Sequence, residues 1–357
     1  MGVEQQPWPR RDDAEMPTRR EAPFDVVMAT SPTYVAHAAT ALHSLLQNSP
    51  GARPHLLHAT DLPQRDRAGL VELCNSFDVE LQLRRIHLDR LEGLPSLVGE
   101  RLPLHSWFRT LIPTVLEDVE TALYLDVDLI VLQSLQPLAD TSLEGMLLGA
   151  VRDASEPSLH GRPDVGLSDT VPYLNSGVLS LDLEGMRRTG FMERVLEVAR
   201  RHTLPFGDQD ALNIVLQGDW LRLHPRWNFQ TMAYRDEALA ADLYGATEAR
   251  QALAAPAIVH FTSFDETRKP WHVLSPHAYR AAYWAHRQAT PWRRALPEGI
   301  TARTLVTYGR RRLAVGLGRR SPEPPGGPLP DGYGDGARFV RTPLFRPHRR
   351  RAGVPRT

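Results

Sequence analysis

The sequence predicts an α/β fold: a mostly parallel central sheet flanked by helices. Three observations carry that prediction. Apolar runs of strand length alternate with helical patterns through the first eighty residues, the order that builds βαβ units. The first run, Phe24 to Ala29, is continuously apolar after its one acid, as a strand covered on both faces must be. The chain has 357 residues, 42% of them hydrophobic, enough for one large domain with a sizeable core.

Taken in order, residues 1–22 are charged and carry no hydrophobic period, so they read as a disordered lead. The strand Phe24 to Ala29 is followed by an Ala/Leu-rich helix from Tyr34 to Gln47, which Asn48-Ser49-Pro50 closes. A strand at His55 to Ala59, a helix from Gln64 to Ser76 and an alternating strand from Val79 to Leu83 complete the second unit. A loop with Pro and Gly covers 88–103, and His105 to Leu116 reads as a helix bent or ended near Pro113. Thr121 to Leu125 is a short strand running straight into Asp126. Further strands are expected at 146–151, 177–182 and 257–261, and helices at 185–202, 208–217 and 276–289. The folded domain therefore spans 23–292. Residues 293–357 form a basic extension, helical at first and disordered from about 318, where Ser321 to Pro328 is mostly Pro and Gly.

The net charge is zero, but it is unevenly placed. From Gly299 to Thr357 there are thirteen Arg against three acids, so the residues before Gly299 sum to −10. Cys74 is the only cysteine, which excludes an intrachain disulfide and suits a small buried side chain. The polar start lacks the apolar segment of a secretory signal, and no run reaches the length of a membrane span. A soluble, cytoplasmic protein is expected. The extension mixes Leu305, Val306 and Leu313 with Arg303, Arg310, Arg311 and Arg312, which fits either peripheral contact with an anionic membrane or a solvated basic tail.

Chemistry concentrates at Asp126-Val127-Asp128, two carboxylates set into an otherwise apolar run at a strand end. In extended chain both side chains point the same way, and strand carboxyl ends are where open α/β sheets bind ligands. A divalent cation would relieve their mutual repulsion; a pair of turn aspartates is the other reading. Tyr173-Leu174-Asn175-Ser176-Gly177 puts polar residues before a buried strand, and Gly207-Asp208-Gln209-Asp210 opens a helix with more acid than capping requires. Trp227-Asn228-Phe229 reads equally well as loop packing. His260 ends a strand as Asp128 does, so it is either a metal ligand or a structural histidine. Of the 42 basic residues only Lys269 is Lys, which suggests a place for a compact point charge such as a diphosphate contact.

In this order the segments from about Asp25 to Trp271 resemble glycosyltransferase family 8, the retaining GT-A enzymes that include bacterial lipopolysaccharide galactosyl- and glucosyltransferases and glycogenin. The resemblance implies a GT-A fold with a Rossmann-like sheet. It implies a UDP-sugar donor whose nucleoside lies on Ala29, Thr30 and Tyr34, with Arg109 contacting the nucleotide-sugar. Asp126, Val127 and Asp128 would meet the donor diphosphate. Asp126, Asp128 and His260 would hold Mn²⁺, with Mg²⁺ as the substitute. Asn175 and Ser176 would touch the sugar, Asp208 and Gln209 would flank the reacting carbon, and Lys269 would meet the diphosphate. The expected activity is transfer of a hexose, glucose or galactose, to a glycan, lipid-linked or small-molecule acceptor, with no nucleic acid involved. A nucleotide-sugar binding protein without turnover and a glycogenin-like self-glucosylating initiator are the alternatives.

The sequence leaves the family pattern twice. Thr30-Ser31-Pro32-Thr33 stands where bacterial members commonly carry Asp and Asn. Ser263 replaces a Gly, and Lys269 lies nine residues after His260, three more than usual, the extra residues falling around Asp265-Glu266-Thr267.

Overall fold

The computed structural model describes residues 22–59, 62–94, 104–155, 162–263 and 265–316. Of the disordered lead expected at 1–22, residues 1–21 lie outside those residues, as does all of the disorder expected from about 318. Ten strands are present among them: β1 (Phe24–Thr30), β2 (Ala52–His58), β3 (Gln82–Arg85), β4 (Thr121–Leu125), β5 (Leu129–Val131), β6 (Leu148–Arg152), β7 (Leu174–Asp182), β8 (Leu221–Arg222), β9 (Phe229–Gln230) and β10 (Ile258–His260). The main sheet runs β3-β2-β1-β4-β7-β6-β8. Neighbours are parallel except that β7 runs against both β4 and β6. A second, small sheet has the order β5-β10-β9.

Every residue of β1 is buried, because both faces of the sheet are covered. Val26 and Met28 face Leu42, Leu45 and Leu70 of the helices Val35–Asn48 and Gln64–Asn75. Val27 and Ala29 join Trp107, Phe108, Val195 and Leu212 on the other side. A third cluster, Ile130, Val259, Phe261, Trp271 and Tyr283, packs around the small sheet. Cys74 is buried in the first layer, and burial pushes its thiol up to about 12.

Several boundaries move. The expected helix 185–202 is two, Leu183–Thr189 and Phe191–Arg201, because Gly190 takes the left-handed conformation (φ 59°) and ends the first. The expected helix from His105 opens as a 3₁₀ segment, Leu104–Leu111, before the short helix Ile112–Val115. β7 begins at Leu174, so Asn175 and Ser176 are strand residues rather than a preceding turn. The run Ala122 to Val131 is not one extended strand: it bends at Asp126-Val127-Asp128 and crosses from the main sheet to the small one. Helices Glu237–Tyr244 and Ala246–Ala254 escaped the sequence reading, since their alanines give little periodic contrast. The extension forms a helix, Ala302–Gly316, despite Gly309.

Candidate active site

The site grows from the carboxyl ends of β1 and β4, which are neighbours (Met28 opposite Leu125). The Asp126 amide donates to the Gly177 carbonyl at 2.8 Å, so the strand pairing carries the first aspartate to the sheet edge before the chain bends. Val127 turns its side chain into the core, and the two acids face the same space. Asp126 Oδ1 accepts from Arg109 Nη2 (2.9 Å) and from the Tyr124 hydroxyl (2.7 Å). Asp128 Oδ2 accepts from Lys269 Nζ at 2.6 Å, and its Oδ1 lies 3.1 Å from His260 Nε2. Ligand atoms of Asp126, Asp128 and His260 all fall within 4.8 Å of one another. Extended geometry predicted the convergence of the acids; a bend delivers it instead.

Burial alone would raise the Asp128 carboxyl, but Lys269 and His260 hold it well below the usual carboxylate range. Arg109 is itself buried, which disfavours its charge, yet Asp126 and Asp208 together hold the guanidinium firmly protonated. Its donors also reach the Ser106 carbonyl (3.0 Å) and Ser176 Oγ (2.8 Å), so it braces the site from behind. Asp208 shares that single cation with Asp126, and complete burial pushes its carboxyl up to about 6. Ser176 Oγ donates to Asp208 Oδ2 (3.2 Å), and the Ser176 amide donates to Gln209 Oε1 (3.0 Å). Ser176, Asp208 and Gln209 therefore form one hydrogen-bonded wall, with Asn175 next to Ser176 on β7. Asp210 does not belong to it. Its carboxylate accepts from the Tyr173 hydroxyl (2.5 Å) and the Phe206 amide (2.7 Å) and pairs with Arg162 (2.8 Å) in the interior. That packing turns Asp210 away from the wall that Asp208 and Gln209 form.

Ala29 and Thr30 close β1 and are buried. Tyr34, half-buried at the start of the next helix, stands edge-on to Trp271 (6.4 Å between centroids) and beside His105. Burial, with Glu266 and Asp128 nearby, raises its phenol above the ordinary value. The extra residues before Lys269 fold outward as the 3₁₀ turn Glu266–Arg268, capped by Asp265, whose side chain accepts from the Thr267 amide at 3.0 Å. The insertion therefore leaves Lys269 within reach of Asp128.

Three further residues shape the corner. Gly177 allows the close approach of the second ligand layer: a Cβ there would lie 2.2 Å from His260 Cε1 and 2.7 Å from Asp126 Oδ2. Asn228 bonds His260 (Oδ1 to Nδ1, 2.9 Å) and Asn175 (Nδ2 to Oδ1, 2.8 Å). Asp153 accepts from Asn175 Nδ2 at 2.8 Å. Gly177 and Asn228 lie inside segments that the sequence marks, without a role for either; Asp153 shares with Asp126 the position just past a strand end.

Two neutral-ring and carboxylate donor types fit a divalent cation. One oxygen from each carboxylate and an imidazole nitrogen converge, and the missing Cβ of Gly177 leaves room beside Asp126 and His260.

Comparison with known proteins agrees with this geometry. The chain is 28% identical over 283 residues to General stress protein A of Bacillus subtilis (strain 168), covering 77% of this chain and 96% of that protein. It is 26% identical to the glycosyltransferase GlyF of Streptococcus pneumoniae serotype 4 over 73% of this chain and 61% of the relative. Among solved structures, the galactosyltransferase LgtC in complex with donor and acceptor sugar analogs shares the fold, with a TM-score of 0.65 at 23% identity over 77% of this chain and 98% of that one. The model of the glycosyl transferase family 8 matches residues 25–275, the stretch that contains every residue of the wall and the acidic corner, and the chain belongs to that family.

Proposed function

We propose that the chain is a retaining hexosyltransferase. It would move glucose or galactose from a UDP-sugar to a hydroxyl of a glycan, lipid-linked or small-molecule acceptor, with Mn²⁺, or Mg²⁺ in its place. The observation that carries this reading is the convergence of Asp126, Asp128 and His260 beside Lys269. One nitrogen and two carboxylate ligands favour Mn²⁺ over Mg²⁺. A bound divalent cation supplies electrostatic stabilisation to a leaving diphosphate.

The chain's own residues divide the remaining work. Lys269 brings a buried ammonium to the diphosphate, where negative charge grows as the sugar departs. Ala29, Thr30 and Tyr34 seat the nucleoside at the end of β1. Asn175, Ser176 and Asp208 orient the sugar hydroxyls, and Arg109 keeps that wall and Asp126 in register. Gln209 stands by the anomeric carbon. Its amide oxygen is neutral and already accepts from the Ser176 amide, which suits it to steadying an oxocarbenium rather than forming an adduct. Front-face attack follows: the bond from C1 to the phosphate oxygen breaks, the acceptor oxygen bonds C1 on the same face, and the departing phosphate oxygen takes the acceptor's proton.

The helix Ala302–Gly316 adds a location to this reading: peripheral contact with an anionic membrane at its cytoplasmic face, where lipid-linked acceptors reside. Activity is tested with a panel of UDP-sugars and Mn²⁺, scored for transfer, hydrolysis and mass gain of the protein itself. Turnover to an added acceptor is expected, whereas mass gain alone identifies a self-glucosylating initiator and binding without product a non-catalytic protein. Asp128→Ala should abolish Mn²⁺-dependent UDP binding, and an undiminished titration in that variant would sink the metal assignment.

A further inference from the structure

Behind the acidic corner runs a buried chain of side-chain amides. Asp153, at the end of β6, accepts at Oδ2 from Asn175 Nδ2 (2.8 Å). Asn175 Oδ1 in turn accepts from Asn228 Nδ2 (2.8 Å), and Asn228 Oδ1 faces His260 Nδ1 (2.9 Å). The four residues are between 0% and 6% exposed, so water does not substitute for any of these partners.

The direction of the chain is determined at both ends. An ionised carboxylate only accepts, so Asp153 obliges Asn175 to present its NH₂. The Gly177 amide only donates, and it lies 3.1 Å from Asn175 Oδ1, which fixes the same orientation independently. Asn175 therefore offers an acceptor to Asn228, Asn228 offers it a donor, and Asn228 Oδ1 is left to accept from His260. Turning over Asn175 would set like against like at Asp153, Gly177 and Asn228, and turning over Asn228 would set two amide oxygens together at Asn175, all buried contacts. Nδ1 of His260 therefore carries a ring proton, and Nε2 is the nitrogen that faces Asp128 Oδ1 (3.1 Å) and Asp126 Oδ2 (3.8 Å).

We propose that Asn228 and Asp153 are positioning residues that dedicate His260 Nε2 to a divalent cation by fixing its tautomer through this amide relay. The relay rests on the metal reading of the same corner and adds its cause. Asp153 Oδ2 also accepts from Gln209 Nε2 (3.4 Å), so one carboxylate orients both the metal-facing histidine and the glutamine on the sugar wall. Neither Asn228 nor Asp153 belongs to the three-residue ligand set.

The test is a nitrogen-15 NMR measurement of the His260 ring in the metal-free protein, joined to Mn²⁺ titration by loss of the free-ion EPR signal. In the neutral parent ring the proton should sit on Nδ1. Asn228→Ala should populate both tautomers and weaken Mn²⁺ binding about 10- to 100-fold. Asn228→Asp, which keeps an acceptor facing Nδ1, should hold the parent tautomer. A parent ring protonated at Nε2 alone overturns the relay, as does Asn228→Ala binding Mn²⁺ as the parent does. Failure of the parent to bind Mn²⁺ would instead defeat the metal reading, while the NMR result still decides the tautomer. Should Asn228→Ala not fold, the parent ring spectrum alone settles the assignment.

Discussion

At the scale of single residues the corner depends on an atom that is missing. Gly177 lies within β7, against both His260 and Asp126, and a methyl group there would stand 2.2 Å from the imidazole. Beside Gly177 the pairing with β6 shifts register, but β4 pairs Val178 and the Asp126 amide bonds the Gly177 carbonyl at 2.8 Å, so the His260 ring is the part that yields. Gly177→Ala is therefore expected to leave the cooperative unfolding transition nearly in place while Mn²⁺ affinity falls at least about tenfold, as with disturbed second-layer contacts. Calorimetric titration checks this; parent-like affinity would show that His260 is not held where a metal needs it. The three residues that converge were legible in the sequence because each sits at or just past a strand end among apolar residues, where a lone charge demands explanation. The roles of Asn228 and Asp153 were not. An amide or an acid in a loop carries no periodic signature, and the bonds that give them meaning join residues 53 and 22 positions apart.

At the scale of elements, strand existence was readable wherever an apolar run had its own boundaries, as in β1 and β4. It failed where one run served two sheets. Ala122 to Val131 looks continuous, yet its middle is a bend, because the pairing partner changes from β1 and β7 to β10. The helix Asp208–Leu216 shows a related division within one motif. Its first turn offers Asp208 and Gln209 to the wall but sends Asp210 inward, onto Arg162 and Tyr173. Arg162 is 2% exposed at its side chain and Asp210 0%, so removing one partner strands a buried charge. Arg162→Ala should cost about 3 kcal/mol of stability, measured by urea unfolding at neutral pH. A loss under about 0.5 kcal/mol, the range of ordinary surface substitutions, would mean the pair does not anchor the helix that carries Gln209.

At the scale of the whole molecule the charge distribution and the last helix point to one surface. The body before Gly299 carries −10 and the remainder +10, so an anionic membrane would repel the body and attract only the extension. In the helix Ala302–Gly316, Leu305, Val306 and Leu313 are 50%, 54% and 64% exposed. Val306 and Leu313 are seven residues apart, as are Arg303 and Arg310, which lays an apolar stripe beside a basic one. The helix is separable from the catalytic body only if the cut is placed correctly. Glu298 must stay, because it bonds His37 (3.0 Å) and its backbone pairs with Trp271 and Val273, next to Lys269. Gly299 must stay too, since it packs against His272. A chain ending at Ile300 should therefore keep Mn²⁺-dependent UDP binding while losing sedimentation with phosphatidylserine-containing liposomes. In the full chain, binding should fall as salt rises and on purely zwitterionic liposomes, each basic residue contributing about 1 kcal/mol near an anionic surface. Equal sedimentation of the shortened chain would place the membrane contact elsewhere, and salt-independent binding would reduce it to the apolar stripe alone.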